Sequence, residues 1–113
     1  MEKNPNRERS NIIREHVLTE LAKGNKTASD IMKKGRQEFP EIGVGPLLVS
    51  KNILELSNEG LVESMGKTLN ERSRSVSVFR LTDQGAEEAR VREIIDELQM
   101  LRLIHEREQN PIK

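Results

Sequence analysis

The sequence has no cysteine, no tryptophan and no tyrosine, and Phe39 and Phe79 are its only phenyl rings. Without cysteine there is neither a disulfide framework nor a thiolate metal site. Two phenyl rings supply no platform on which single-stranded bases could stack. No run of about 18 apolar residues is present to cross a membrane. The stretch from Met1 to Arg7 has no apolar core of the signal-peptide kind. The two histidines, His16 and His105, lie far apart and read as packing or surface residues. No glycine-rich phosphate loop, metal-ligand spacing or nucleophile motif is found. These absences point to a cytoplasmic protein that is not an enzyme and carries no cofactor or metal.

An excess of one charge is also missing: 19 basic residues balance 19 acidic ones. The balance is uneven along the chain. Residues 1–81 hold 14 lysines and arginines against 11 acids, and residues 82–113 hold 5 against 8. The mildly basic front is a weak electrostatic pointer to nucleic acid.

With 113 residues the chain has room for one domain. Residues 1–9 read as a flexible arm, in which Lys3, Arg7 and Arg9 are either basic contacts or an ordinary terminus. Ser10 or Asn11 can cap a first helix with Ile12, Ile13, Val17, Leu18 and Leu21 inward, closed by Gly24. Thr27 and Asp30 resemble a capping box for a second, short helix with Ala28, Ile31 and Met32 inward. Phe39 to Gly45 is a loop, broken by Pro40 and two glycines. Pro46 suits the first position of a third helix over Leu47–Glu59, with Val49, Ile53 and Leu56 inward and Gly60 in the left-handed cap. Leu61–Met65 and Ser75–Leu81 read as two strands around a polar tip from Gly66 to Arg74. Thr82 caps a last helix running to about Arg107. The order predicts an α+β, mostly helical fold: a winged helix-turn-helix over residues 10–81, a long C-terminal dimerisation helix over 82–108 and a disordered tail over 109–113.

In such a fold the helix opened by Pro46 enters the major groove of DNA with its N-terminal half. Its outward positions are Leu47, Ser50, Lys51 and Asn52. Lysine donates to guanine, asparagine pairs with adenine, and serine serves a base or a phosphate. Leu47 or Leu48, if exposed, can meet a thymine methyl. The hairpin tip offers Lys67, Arg72 and Arg74 to phosphates or the minor groove, and Lys26 and Thr27 can anchor a phosphate at the start of the second helix. A plainly solvated helix face and a charged loop that protects a sheet edge remain the competing readings of the same residues.

The pattern Pro46, Val49, Ile53, Leu56, Gly60-Leu61-Val62, followed by Val78-Phe79-Arg80-Leu81-Thr82-Asp83-Gln84-Gly85, resembles winged-helix regulators of the PadR and MarR type. There, a helix ending in Gly-Leu-Val leads into the wing, which returns through an aromatic-x-Leu-Thr-x-x-Gly segment. The resemblance spans about residues 10–105 and implies a DNA-binding transcriptional regulator. A narrower likeness, from Glu38 to Pro46 with Leu56 and Gly60, is to the bacterial replication terminator family. It implies a winged helix dimerised by its last helix. This chain departs from that family in being neutral and in placing Leu47-Leu48 at the start of the helix.

In the last helix Val91, Ile94, Leu98, Leu101 and His105 recur at spacings of three and four, the repeat of a coiled-coil seam. Ile95, Met100, Leu103 and Ile104 widen it. The expected partner is a second copy, giving a two-fold dimer; folding back on its own domain is the other possibility. The resulting expectation is a nucleoid-associated homodimer on double-stranded DNA with a near-palindromic site, used most simply as a repressor. Replication termination, plasmid partition and a winged helix devoted to protein contacts stand as alternatives.

Overall fold

The structure, a computed structural model, describes residues 5–109, with side chains described from 8 to 106. Its elements are α1 (Pro5–Lys23), β1 (Lys26–Thr27), α2 (Ala28–Glu38), a 3-10 turn (Pro40–Ile42), α3 (Pro46–Asn58), β2 (Val62–Leu69), β3 (Ser75–Leu81) and α4 (Asp83–Gln109). The expected arm cation Lys3, the side chain of Arg7 and the tail residues 110–113 lie outside what is described.

The first helix begins at Pro5, ahead of the expected cap at Ser10 or Asn11. Proline tolerates the first helical position because its missing N–H would have no partner there. Ile13, Val17, Leu18 and Leu21 are buried as expected, but Ile12 is 40% exposed, one residue to the side of that stripe. The stripe is completed by two polar residues, His16 and Glu20. His16 Nε2 donates to the carbonyl of Ile31 at 2.9 Å, and its ring meets Phe39 edge-on at 5.5 Å. Glu20 accepts from Lys23 Nζ at 2.7 Å. The histidine is thus a satisfied packing residue.

The capping box of α2 forms in full: Thr27 Oγ1 accepts from the Asp30 N–H at 3.1 Å, and Asp30 Oδ2 accepts from the Thr27 N–H at 3.2 Å. The loop that follows is less open than its glycines suggest. Ile42 and Val44 are buried in it and Phe39 packs against the core. That core joins α1, α2 and α3 to Leu61 and Val62.

The third helix ends as its sequence dictates. Gly60 takes φ +80, the Leu61 N–H reaches back to Leu56 O at 2.9 Å, and the Gly60 N–H reaches Ser57 O at 3.0 Å. This doubly bonded close needs a left-handed residue, which glycine adopts at no steric cost. The chain turns straight into the sheet, ordered β1-β3-β2 and antiparallel throughout. The strand β1 has only two residues and carries no alternation to read. Strand β2 runs to Leu69, four residues beyond the expected Met65. A bulge at Met65, between Ser64 and Gly66, absorbs the glycine that reads in sequence as the strand's end. The free tip shrinks to residues 70–74.

The return from β3 into α4 explains the Leu-Thr-x-x-Gly pattern. The Thr82 N–H donates to Leu61 O at 3.0 Å. Thr82 Oγ1 donates to Gly60 O at 2.6 Å and accepts from the Gly85 N–H at 3.1 Å. Gly85 is buried against Leu61. Of the small residues at the start of α4, Gly85 is buried and Ala89 half-buried, while Ala86 is exposed. From Arg90 to Glu106 every described residue of α4 is exposed in the single chain. The fold is a winged helix-turn-helix carrying a long C-terminal helix.

An ion-pair node fastens α1 to the ends of its neighbours. The Arg14 guanidinium grips both carboxylate oxygens of Glu59 and lies 3.7 Å from Glu88 of α4. The hydrogen bond from Arg14 holds the Glu59 carboxyl below the usual range. A carboxyl depressed on folding adds stability above its unfolded value, and that stability is lost as pH falls through the folded value. Because Glu59 is about half exposed, solvent screens the pair and the contribution is small. Glu59→Gln is expected to melt slightly below the parent at neutral pH, with the gap closing in acid. Paired melting curves at pH 7 and pH 3 check this; an equal gap at both would mean the charge is not what Glu59 contributes.

Candidate nucleic-acid interface

The exposed side of α3 is set by where its apolar stripe points. Val49, Ile53 and Leu56 turn inward, which leaves Leu47, Ser50, Lys51 and Leu54 outward. Leu47 is 86% and Leu54 62% exposed. Leu48 is half-buried against the core, so of the two leucines only Leu47 is free. Asn52 corrects the sequence reading. It is 1% exposed, donates from Nδ2 to Leu48 O at 2.9 Å and accepts from Ser10 Oγ at 3.3 Å. Its amide is consumed in joining α3 to α1 and is not offered to a base. One residue of phase decides this: Ile53 must point inward, and its neighbour goes with it.

On the wing, Lys67 lies within β2 opposite Ser77, while Arg72 and Arg74 stand on the tip. The tip is ordered by Asn70, whose Oδ1 accepts from the N–H groups of both Arg72 and Arg74 at 2.9 Å. Ser73 sits between them at φ +58, a conformation this turn imposes. The start of α2 faces the wing. Between them runs an open cleft of about 520 Å³, lined by Thr27, Ser29, Asp30 and Lys33 from α2 and by Asn70, Glu71, Arg72 and Arg74 from the tip. The structure thus brings Thr27, Arg72 and Arg74 together and adds Lys33 of α2. Only the third dimension pairs Lys33 with the wing, because 36 residues lie between it and Asn70, the first residue of the tip. Thr27 has less to offer than expected. Its N–H belongs to Asp30 and its hydroxyl accepts the cap bond, so the first free donors are further along the helix. Lys26 is half-buried in β1, opposite Phe79.

The neutral total hides a division among the cations. Arg14, Lys23, Lys34, Arg80, Arg92 and Arg102 each lie within ion-pair distance of a carboxylate. Among the described residues Lys26, Lys33, Lys51, Lys67, Arg72 and Arg74 have no such partner, and neither do Arg9, Arg36 and Arg90. Arg36 instead donates to Val44 O at 2.8 Å. The cations of β1, α2, α3 and the wing are therefore mostly free, while those of α1 and α4 are mostly neutralised in place. Free cations beside a groove are what attract a polyanion. Among the described residues no group of three or more potential metal ligands occurs and no helix is long and apolar enough to cross a membrane.

No family model matches the sequence, and no curated protein matches it. Solved structures do match. A PadR-like transcription factor from Bacteroides fragilis is similar at 17% identity, with a TM-score of 0.70 over 88% of this chain and 94% of that one. An apo form of a ZitR double mutant from Lactococcus lactis is 21% identical, with a TM-score of 0.66 over 91% of this chain and 70% of that one. Bacillus subtilis PadR, solved in complex with operator DNA, is 20% identical, with a TM-score of 0.62 over 74% of this chain. The matched part is 47% of that PadR chain, so the chain spans about half its length. At these identities the likeness concerns the fold, which is the winged helix.

Proposed function

We propose that this chain is a winged-helix transcriptional regulator of the PadR type that binds double-stranded DNA as a homodimer in the cytoplasm. The observation that carries the reading is the sorting of charge. In a neutral protein, most cations on the helix-turn-helix and wing are left without carboxylate partners, Lys34 and Arg80 being the paired ones, while most of the described cations elsewhere are paired. In this reading Lys33, Arg72 and Arg74 embrace a phosphate strand in the cleft between α2 and the wing tip. Ser50 and Lys51 reach base edges from the first half of α3. The B. subtilis PadR with operator DNA offers a precedent in the same fold.

The homodimer rests on α4. Val91, Ile94, Ile95, Leu98, Leu101 and Ile104 are each 42–60% exposed, and His105 is exposed beside them. Met100 and Leu103 add apolar surface on other sides of the helix. A contiguous apolar strip of this kind is a liability unless another surface covers it, and a second copy of the same helix is the simplest cover. Two copies would present two α3 helices to successive turns of a near-palindromic site.

A salt titration on random duplex tests the DNA reading. Log affinity is expected to fall with log salt with a slope of several units. Lys51→Ala should relax preference at one base position in each half-site. Arg72→Ala should weaken binding to all sequences alike and shallow the slope by about one unit. Binding that is absent or indifferent to salt would refute the reading. A second reading, a module for protein contacts, is favoured by the exposure of Leu47 and Leu54 on α3, and the same titration separates it. Sequencing genomic fragments that the protein retains would distinguish use at a promoter from use at a replication terminus or a plasmid partition site.

A further inference from the structure

The outward side of α3 carries a repeat that base pairing with polar groups does not account for. Leu47, Lys51 and Leu54 are four and three residues apart, so they form one stripe along the helix. At 1.5 Å per residue they are spaced by about 6 Å and 4.5 Å along its axis. Leu47 is 86% and Leu54 62% exposed, and the ammonium of Lys51 between them has no carboxylate partner. Leucines this exposed gain nothing from the fold. Serine or lysine would serve solubility better at both positions.

We infer that Leu47 and Leu54 are specificity-determining residues that read thymine by its C5-methyl group on either side of the base pair read by Lys51. The inference rests on the DNA reading given above. In the major groove only thymine presents a methyl, and it is recognised by apolar contact. Base pairs stack about 3.4 Å apart, so both leucines fall within about two steps of the Lys51 position. The unpaired cations of α2 and the wing supply the matching charge that commits this apolar stripe to DNA and not to protein. The arrangement also gives Leu47 a role at the groove-facing start of the helix, where polar side chains would otherwise be expected.

The test uses the full chain and a random-sequence duplex library. The retained half-site is resynthesised with uracil in place of thymine, which removes the methyl and leaves the pairing edge unchanged. Each methyl under a leucine is expected to contribute roughly three- to fivefold in affinity. Leu47→Ala should bind the thymine duplex more weakly and no longer distinguish it from the uracil duplex at one position. Leu54→Ala should do so at another. Because both side chains are exposed, both variants should keep the parent's melting temperature, so a loss of binding is not a loss of folding. Equal binding of thymine and uracil duplexes by the parent would overturn the inference and leave the DNA reading standing. Discrimination that survives in both variants would overturn it too. No binding to any duplex would overturn both. A smaller sedimenting mass for Leu47→Asp would show that the stripe faces another copy of the chain, and the inference would fall.

Discussion

Gly85→Ala is expected to lower the melting temperature by roughly 8–16 °C. On propensity alone the change should help, since alanine is about 1 kcal/mol better than glycine inside a helix. The tertiary contact reverses the sign. A Cβ on Gly85 would lie 1.9 Å from Leu61 O and 2.8 Å from Leu61 C, both backbone atoms in a corner that cannot yield. Either α4 lifts by more than 1 Å or the Gly60-Leu61 turn opens. Both break the bonds by which Thr82 holds Leu61 O and Gly60 O. Overpacking of this kind costs about 3 kcal/mol, which outweighs the gain in propensity. In a domain of this size each kcal/mol is about 4–8 °C. Gly35→Ala is the comparison. Its added Cβ would meet side chains, His16 Nε2 and Val44 Cγ1, at 3.2 Å, which can shift slightly, so its loss should be smaller. A parent-like melt for Gly85→Ala would mean that α4 does not sit on Leu61.

The second large effect concerns α4. Leu98→Asp combined with Leu101→Asp should convert the proposed homodimer into a single chain of 12.9 kDa in sedimentation. Both leucines are more than half exposed within the chain, so the domain itself loses little. Two charges per chain, facing their copies across a seam, carry a desolvation cost of several kcal/mol each. DNA affinity should drop with the mass. A dimer gains from linking its two half-site contacts, which raises affinity by about 10²–10⁴ over one contact alone. The check is sedimentation beside binding to a site with both halves. An unchanged mass would refute the seam. A monomer that keeps full affinity would show that dimerisation does not serve DNA binding.

Much of the fold could be read along the chain because its signals are local. A capping box needs only Thr27 and Asp30. The third helix announces itself by Pro46, its inward stripe and Gly60. The Leu81-Thr82-Asp83-Gln84-Gly85 pattern marks the return from the wing. What could not be read depends on partners distant in sequence. Strand β1 exists only because β3 lies beside it, and β2 extends past Gly66 only because β3 continues opposite. Asn52 and Lys51 are adjacent polar residues on one helix, equally suited to a base edge by type. Burial against α1, with Ser10 forty-two residues away, removes one and leaves the other.

The sequence by itself determined the order of the four helices and the hairpin, the caps of α2, α3 and α4 and the apolar repeat of α4, since each is written within a few turns of chain. The tertiary structure alone decided which polar residues are spent holding the molecule together. It brought Lys33 to the wing, buried Asn52 and set Gly85 on the Leu61 carbonyl. It also neutralised most of the described cations of α1 and α4 while leaving most of those of the helix-turn-helix and wing free. Net charge is a sum over the chain, but attraction for a ligand depends on which charges have no partner, and partners are assigned only when distant segments meet.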